Sequence, residues 1–488
     1  MCFHRAGRHA LIVLTLLSVQ PLWSGGGSAW GQSALVPSAA TGRRFLPPPS
    51  PPAAADGWEQ LDPNTESEPG NSASGLTAAI GMSLQDVLTL AAENNPTLRQ
   101  ARLQVSAQTA TALQAGLYPN PTLAYSGEQI GVDTAGDTDT AGEFQGMILS
   151  QRFVTAGKLG LSREKYLRRA HVSEHLAIAQ QFRVCNDVRI HFYRTLAAGQ
   201  IVAIRRELLE TAEDAGVTAR ELYNLGQASR PDVRRSNISL QRARLAVLKS
   251  ENQYRESFRQ LTAIVGVDLS IEPLQGRLMP DQPAVGYDEA WGRILAQSPE
   301  LLAARAKLAA DRVTVQREQV EWVPDIVAGG GAGYNFEAKE TTATAGITIE
   351  LPVFDRNQGT IRQAQMDLRR QEQEIRRTEL ELQQRLADVY QRYLTSLQMV
   401  TEYERVIVPE SRLAYQELLQ SYKDNRVDWP SVLEAQHDYF DVRLTQIEQL
   451  QELRSQEVLV RGFLLHGGLM AAPGPTPVGH IDSVPKPR

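Results

Sequence analysis

Apolar and polar side chains alternate strictly through Ile347-Thr348-Ile349-Glu350-Leu351-Pro352-Val353, the pattern of a strand with two unlike faces. Five residues later, past Asp355-Arg356-Asn357-Gln358-Gly359, the apolar period lengthens to three and four and holds for about 65 residues, which predicts a very long helix. The same passage from strand to helix occurs earlier, where Gln151–Gly160 ("QRFVTAGKLG") leads into a helical pattern over 158–224. In that first helix Ile201, Ile204, Leu208, Ala212, Ala215, Ala219 and Leu222 form a coiled-coil seam. Leu382, Leu386, Val389, Tyr393, Leu397 and Val400 do so in the second, which Pro409 is expected to kink or break.

Four strands are predicted, over 121–132, 144–154, 324–336 and 343–354, joined by polar loops. Ten or eleven residues of tilted strand is about the length that crosses a bilayer. At 1.5 Å per residue the helix over 158–224 is roughly 100 Å long. The shorter helices over 97–118 and 231–265 nearly equal it when stacked end to end, so the economical packing sets one long helix beside two short ones.

The chain is written twice. "NNPTLRQAR" (Asn94–Arg102) parallels "QSPELLAAR" (Gln297–Arg305), Pro121 parallels Pro324, and "YNLGQASRPDV" from Tyr223 parallels "YKDNRVDWPSV" from Tyr422. This divides the chain into a first repeat over 83–285 and a second over 286–466. Both ends differ from the repeats. An apolar run, Ala10–Val19, behind His4, Arg5 and Arg8 reads as an export signal ending near residue 34. Residues 35–82 and 467–488, rich in Pro, Ser and Gly, read as a flexible leader and a disordered tail.

Composition narrows the class. A net charge of −6 over 488 residues offers no basic surface for nucleic acid. Aromatic content of 6% is low for one large core and suits long helices. Cys2 lies in the export signal, leaving Cys185 alone, so no internal disulfide forms in the exported chain. No segment is apolar enough for a transmembrane helix, and entry into a membrane therefore requires a β-barrel. Four strands cannot close one, because an open sheet leaves two unpaired edges in lipid. Several copies must share a barrel: two copies supply eight strands and a filled interior, three supply twelve and a passage.

The duplication, "YPNP" (Tyr118–Pro121), "LPVFDRNQG" (Leu351–Gly359) and "YNLGQAS" (Tyr223–Ser229) together resemble the TolC-like outer membrane factors, the outer channel components of bacterial efflux and secretion systems. "FDRNQG" followed by Ile361 is most similar to the branch serving cobalt–zinc–cadmium efflux. The resemblance covers about 83–466 and implies a mainly α fold with a small β part. Long antiparallel coiled-coil helices would form a periplasmic tunnel, and four strands per chain would join a homotrimeric, twelve-stranded outer membrane barrel in lipid. It further implies a periplasmic adaptor and an inner membrane pump of the resistance-nodulation-division type as partners. Leu225, Gly226 and Ser229 match the family's adaptor-contacting turn, although Gly226 alone also serves as an ordinary helix cap. Tyr422 and Glu434 fall where the family places a gate tyrosine and an acidic ring. Its gate arginine is replaced by Val427, with Arg426 adjacent. A glutamate on a long helix is equally an ordinary solvated residue.

Other chemistry is sparse. "TAGKLG" lacks the Ser or Thr that follows the lysine of a phosphate loop. His171 and His175 lie one helical turn apart, and two such ligands make at most a weak metal pair. No catalytic constellation is present, and neither an enzyme activity nor a cofactor is expected. The leading reading is a passive efflux duct for heavy-metal cations. Multidrug export, type I secretion and a pore-free periplasmic scaffold remain its alternatives.

Overall fold

The computed structural model describes residues 81–128, 143–226, 228–280, 283–424 and 426–483. The predicted signal and nearly all of the leader lie outside these residues, as does the loop between the first two strands. Met82, placed at the end of the leader by composition, already belongs to a short strand.

In chain order the first repeat holds β1 (Met82–Ser83), α1 (Leu84–Asn94), α2 (Pro96–Ala115), β2 (Thr122–Glu128), β3 (Phe144–Phe153), α3 (Lys158–Asn224), α4 (Arg230–Val265) and β4 (Leu274–Gln275). The second holds α5 (Tyr287–Gln297), α6 (Pro299–Gln319), β5 (Ile326–Asn335), β6 (Glu340–Ile349), α7 (Gln358–Glu402), a π-helical turn (Tyr403–Ile407), α8 (Val408–Lys423) and α9 (Trp429–Arg461). Helix starts follow the sequence signals: Asn95 caps α2 by accepting from the Thr97 N–H, and Pro96 stands at its first position. Ser83 and Asp86 make a reciprocal capping box on α1.

α3 is 67 residues long and packs along α2 and α4, as its length requires. The same layout recurs where α7 packs on α6 and α9, and α8 on α9. The expected seams are buried: Ile204 and Leu208 meet Phe440 and Leu444 of α9, while Ala212 meets Leu240 and Ala243 of α4. The main core circles the middle of α3, where Val188 and Phe192 pack with Leu261, Ile294, Leu301, Leu382, Leu386 and Leu453. Each such side chain contributes roughly 1.5–3 kcal/mol by leaving water.

Three expectations change. Pro409 does not break its helix, which runs on from α7 through a π turn into α8. The preceding five residues widen into a π turn in which the Val408 N–H reaches the Tyr403 carbonyl, so the helix absorbs a residue that has no N–H of its own. The fourth strand spans Glu340–Ile349 rather than 343–354. A tight turn, in which the Ala338 N–H donates to Asn335 Oδ1 at 2.8 Å, starts it early, and Ile349 already faces Ile326, the first residue of β5. Beyond Ile349 the chain pairs with no further strand among the described residues.

The tail is the third. Among its described residues it is anchored at two places, Gly467–Gly468 and His480–Asp482, rather than free. The Gly467 and Gly468 N–H groups donate to Asp187 at 3.1 and 2.6 Å. Gly468 in turn accepts from Thr97 and Gln180. Further on, buried His480 contacts Asp311 at 3.1 Å, the Ile481 N–H donates to Asp367 at 3.0 Å, and Asp482 accepts from Lys165 at 3.0 Å and from Arg169. These contacts tie the tail to α2, α3, α6 and α7. Pro and Gly content obscured three consecutive anchoring residues.

Candidate functional site: the open sheet and the two helical turns

Four strands form one antiparallel sheet in the order β2-β3-β5-β6. Leu123 faces Leu149, Tyr125 faces Met147, Phe153 faces Ile326, and Ile326 faces Ile349. Residues opposite one another share a face, so one side of the sheet gathers Leu123, Tyr125, Leu149, Met147, Ile326 and Ile349. Most of these are more than half exposed. The other side carries Thr122, Ser126, Arg152, Ser150, Thr344 and Thr348. Gly331 and Gly333 lie there too. A Cβ at Gly331 would strike the Met147 carbonyl, and one at Gly333 the Phe144 ring, so these positions permit close strand approach.

The sheet joins the helices through an ionic contact between the repeats. Lys158, at the start of α3 and 5% exposed, donates to Asp325 at 2.8 Å. Asp325 also accepts from the Thr155 N–H at 3.2 Å, and the Thr155 hydroxyl donates to the Pro324 carbonyl at 2.7 Å. Burial alone would raise the Asp325 carboxyl, but Lys158, the Thr155 N–H and Arg152 hold it below its ordinary value. The sequence around Lys158 is not a phosphate loop and by itself gives the lysine no role. Its place beside a strand-helix join was the only signal.

The far end of α3 is the first turn. Leu225 stands 71% exposed, and Gly226 takes φ +72°, a left-handed backbone that favours glycine. Ser229 caps α4 with Asp232, whose carboxylate accepts the Ser229 N–H at 3.0 Å and is held below its ordinary pKa by Ser229. In the second turn the Tyr422 and Trp429 rings meet at 4.8 Å, and burial pushes the Tyr422 phenol up. Arg426 pairs with Asp424 of its own turn at 3.6 Å, while Glu434 is exposed one helical turn into α9. Tyr422 and Arg426 are thus brought into one turn, and Arg426 spends its charge locally.

His171 contacts Glu174 at 2.9 Å, while His175 is half buried and its imidazole is pushed down by that burial. Among the described residues no three His, Cys, Asp or Glu side chains converge as a metal set.

Residues 87–267 and 291–463, covering both repeats, match the outer membrane efflux protein family. The chain belongs to that family. Among curated relatives of this efflux channel protein, the cobalt-zinc-cadmium resistance protein CzcC of Cupriavidus metallidurans is 25% identical over 374 residues, 75% of this chain and 86% of that one. The nickel-cobalt-cadmium resistance protein NccC of Alcaligenes xylosoxydans is 24% identical over 58% of this chain and 62% of its own length. A solved structure of CusC superposes with a TM-score of 0.65 at 17% identity, covering 79% of this chain and 92% of that one. That likeness carries the fold. Family membership places the efflux channel in the outer membrane, with its helices as the periplasmic part.

Proposed function

We propose that three copies complete a twelve-stranded barrel from their four-stranded sheets and form the outer membrane exit duct of a tripartite heavy-metal efflux system. The observation that carries this reading is the open sheet itself: β2 and β6 are both edges, one face is apolar, and a lipid-facing edge leaves backbone groups unsatisfied at several kcal/mol each. Three copies give the passage that two do not. The metal-resistance names of CzcC and NccC support divalent cations as cargo. Energy comes from an inner membrane pump of the resistance-nodulation-division type, and a periplasmic adaptor docks at Leu225, Gly226 and Ser229, where an exposed apolar side chain crowns a sharp reversal. Tyr422, Arg426 and Glu434 line the periplasmic constriction, Glu434 as an acidic ring attracting cations.

Deleting the gene and challenging cells with zinc, cobalt, cadmium, nickel and a panel of drugs tests the assignment. Metal sensitivity restored by the intact gene is expected. Sensitivity to drugs alone contradicts the cargo, and loss of neither contradicts the duct.

A further inference from the structure

The outermost row of the sheet, at the end away from the helices, runs Glu128, Phe144, Asn335, Glu340 across β2, β3, β5 and β6. Directly opposed residues share a face, and this row lies on the polar one, with Ser126, Ser150 and Thr344. Glu128 and Glu340 are exposed and stand on the two edge strands, three strand spacings or roughly 14 Å apart. At the helical end the same face carries Arg152, opposite Val327, which in turn faces Thr348. No other paired residue of that face is charged.

We propose that Glu128 and Glu340 make the outer mouth of the duct selective for cations, with Arg152 as the opposing charge at its inner end. This rests on the barrel reading above, in which the apolar face meets lipid and the polar face lines the lumen.

The charges at each end are left uncancelled. In the turn before Glu340, Glu337 and Lys339 offset each other, and Glu143, one residue beyond the row, adds to its negative sign. At the inner end Arg152 lies 3.8 Å from Asp325, but Lys158 already holds that carboxylate at 2.8 Å. These three groups therefore leave one net positive charge.

The wall between the ends is bare. The Phe144 ring lies over Gly146 and Gly333, where a Cβ would strike it, and Ile148 and Ser150 lie against Gly331 and Gly329. No long side chain reaches from this stretch into the bore. Twelve strands about 4.8 Å apart and tilted about 40° give a wall roughly 12 Å in radius, close to the Debye length of about 10 Å at 0.1 M salt. The end charges are thus felt near the axis. Phe144 and Arg152 stand roughly 27 Å apart along β3, so each end acts alone. The exit gathers cations and holds anions back.

The test measures the permeability of K⁺ relative to Cl⁻ for the full chain in planar bilayers, from the reversal potential across a salt gradient. The parent should prefer K⁺. Near 0.1 M salt, Glu128→Gln with Glu340→Gln should lower the ratio at least about twofold and Arg152→Gln should raise it. Both effects should fade at about 1 M, where the Debye length shrinks to about 3 Å. In a Cys185→Ala background, Glu128→Cys labelled after insertion should regain selectivity with an anionic thiosulfonate and lose more with a cationic one. Tyr125→Cys, on the apolar face, should respond to neither. Ratios that do not move in the conducting variants overturn the proposal, as do shifts of the opposite sign. A glutamine variant that forms no channel while the parent does assigns the carboxylates to folding and also overturns it. In each of these cases the duct reading stands. A parent chain that forms no channel removes both.

Discussion

Lys158 of the first repeat donates to Asp325 of the second at 2.8 Å, so the base of the sheet is held by an ion pair between residues 167 positions apart. The lysine side chain is 6% exposed and the carboxylate 22%. Removing either partner leaves the other charge poorly solvated, a loss of roughly 2–4 kcal/mol at a site this covered. Lys158→Met and Asp325→Asn should each lower the thermal midpoint of the purified protein. Together they should cost less than the sum, because the second change removes a charge already stranded. Additive losses would show that the pair is not coupled.

Glycines in the sheet are not interchangeable. Gly331→Ala drives a Cβ into the Met147 carbonyl and should prevent β3 from pairing with β5, sharply reducing the yield of folded protein. Gly346→Ala meets nothing within 4 Å and should fold normally. Heat-modifiable migration on gels distinguishes the two.

Much of this architecture was legible because helix and strand periods are local. The length of α3, its packing beside two shorter helices and the four-strand count all follow from patterns that a single segment displays. What escaped was non-local. The helix runs on past Pro409 through a π turn that packs on α9, and no local rule states that. Strand β6 ends where its partner ends, at Ile326, and alternation alone does not show this. Lys158 and Asp325 acquire meaning only when the sheet brings the repeats together. Leu225 and Gly226 were readable, since an exposed apolar residue beside a left-handed glycine is a local design.

The tail is expected to be acid-labile. Burial works to raise the Asp482 carboxyl, yet Arg169 and Lys165 hold it below its ordinary value of 3.8. A lowered folded-state pKa contributes stability that is present above the ordinary value and lost as pH falls through the depressed one. His480, Thr314 and Asp482 meet in the same cluster, so the strap should detach as a unit. Limited proteolysis or hydrogen exchange of residues 468–483 should therefore show protection at pH 5–7 and loss only below about pH 4. Asp482→Asn should remove the protection at neutral pH. Protection of the variant equal to that of the parent would place the anchor elsewhere.

At the first turn, Gly226→Ala places no atom within 4 Å of a neighbour, so its cost is the left-handed backbone alone, about 1–2 kcal/mol. Sheet folding should be unaffected. Hydrogen exchange should rise only around the turn between α3 and α4, and complementation of a metal-sensitive deletion strain should weaken. Full complementation with a loosened turn would separate this turn from adaptor docking.

The mass of the detergent-extracted protein, corrected for bound detergent, tests the central claim most directly. Three copies per particle, with ion conductance on insertion into a planar bilayer, is the predicted result. One folded copy per particle, silent in the bilayer and partitioning into water, would contradict it.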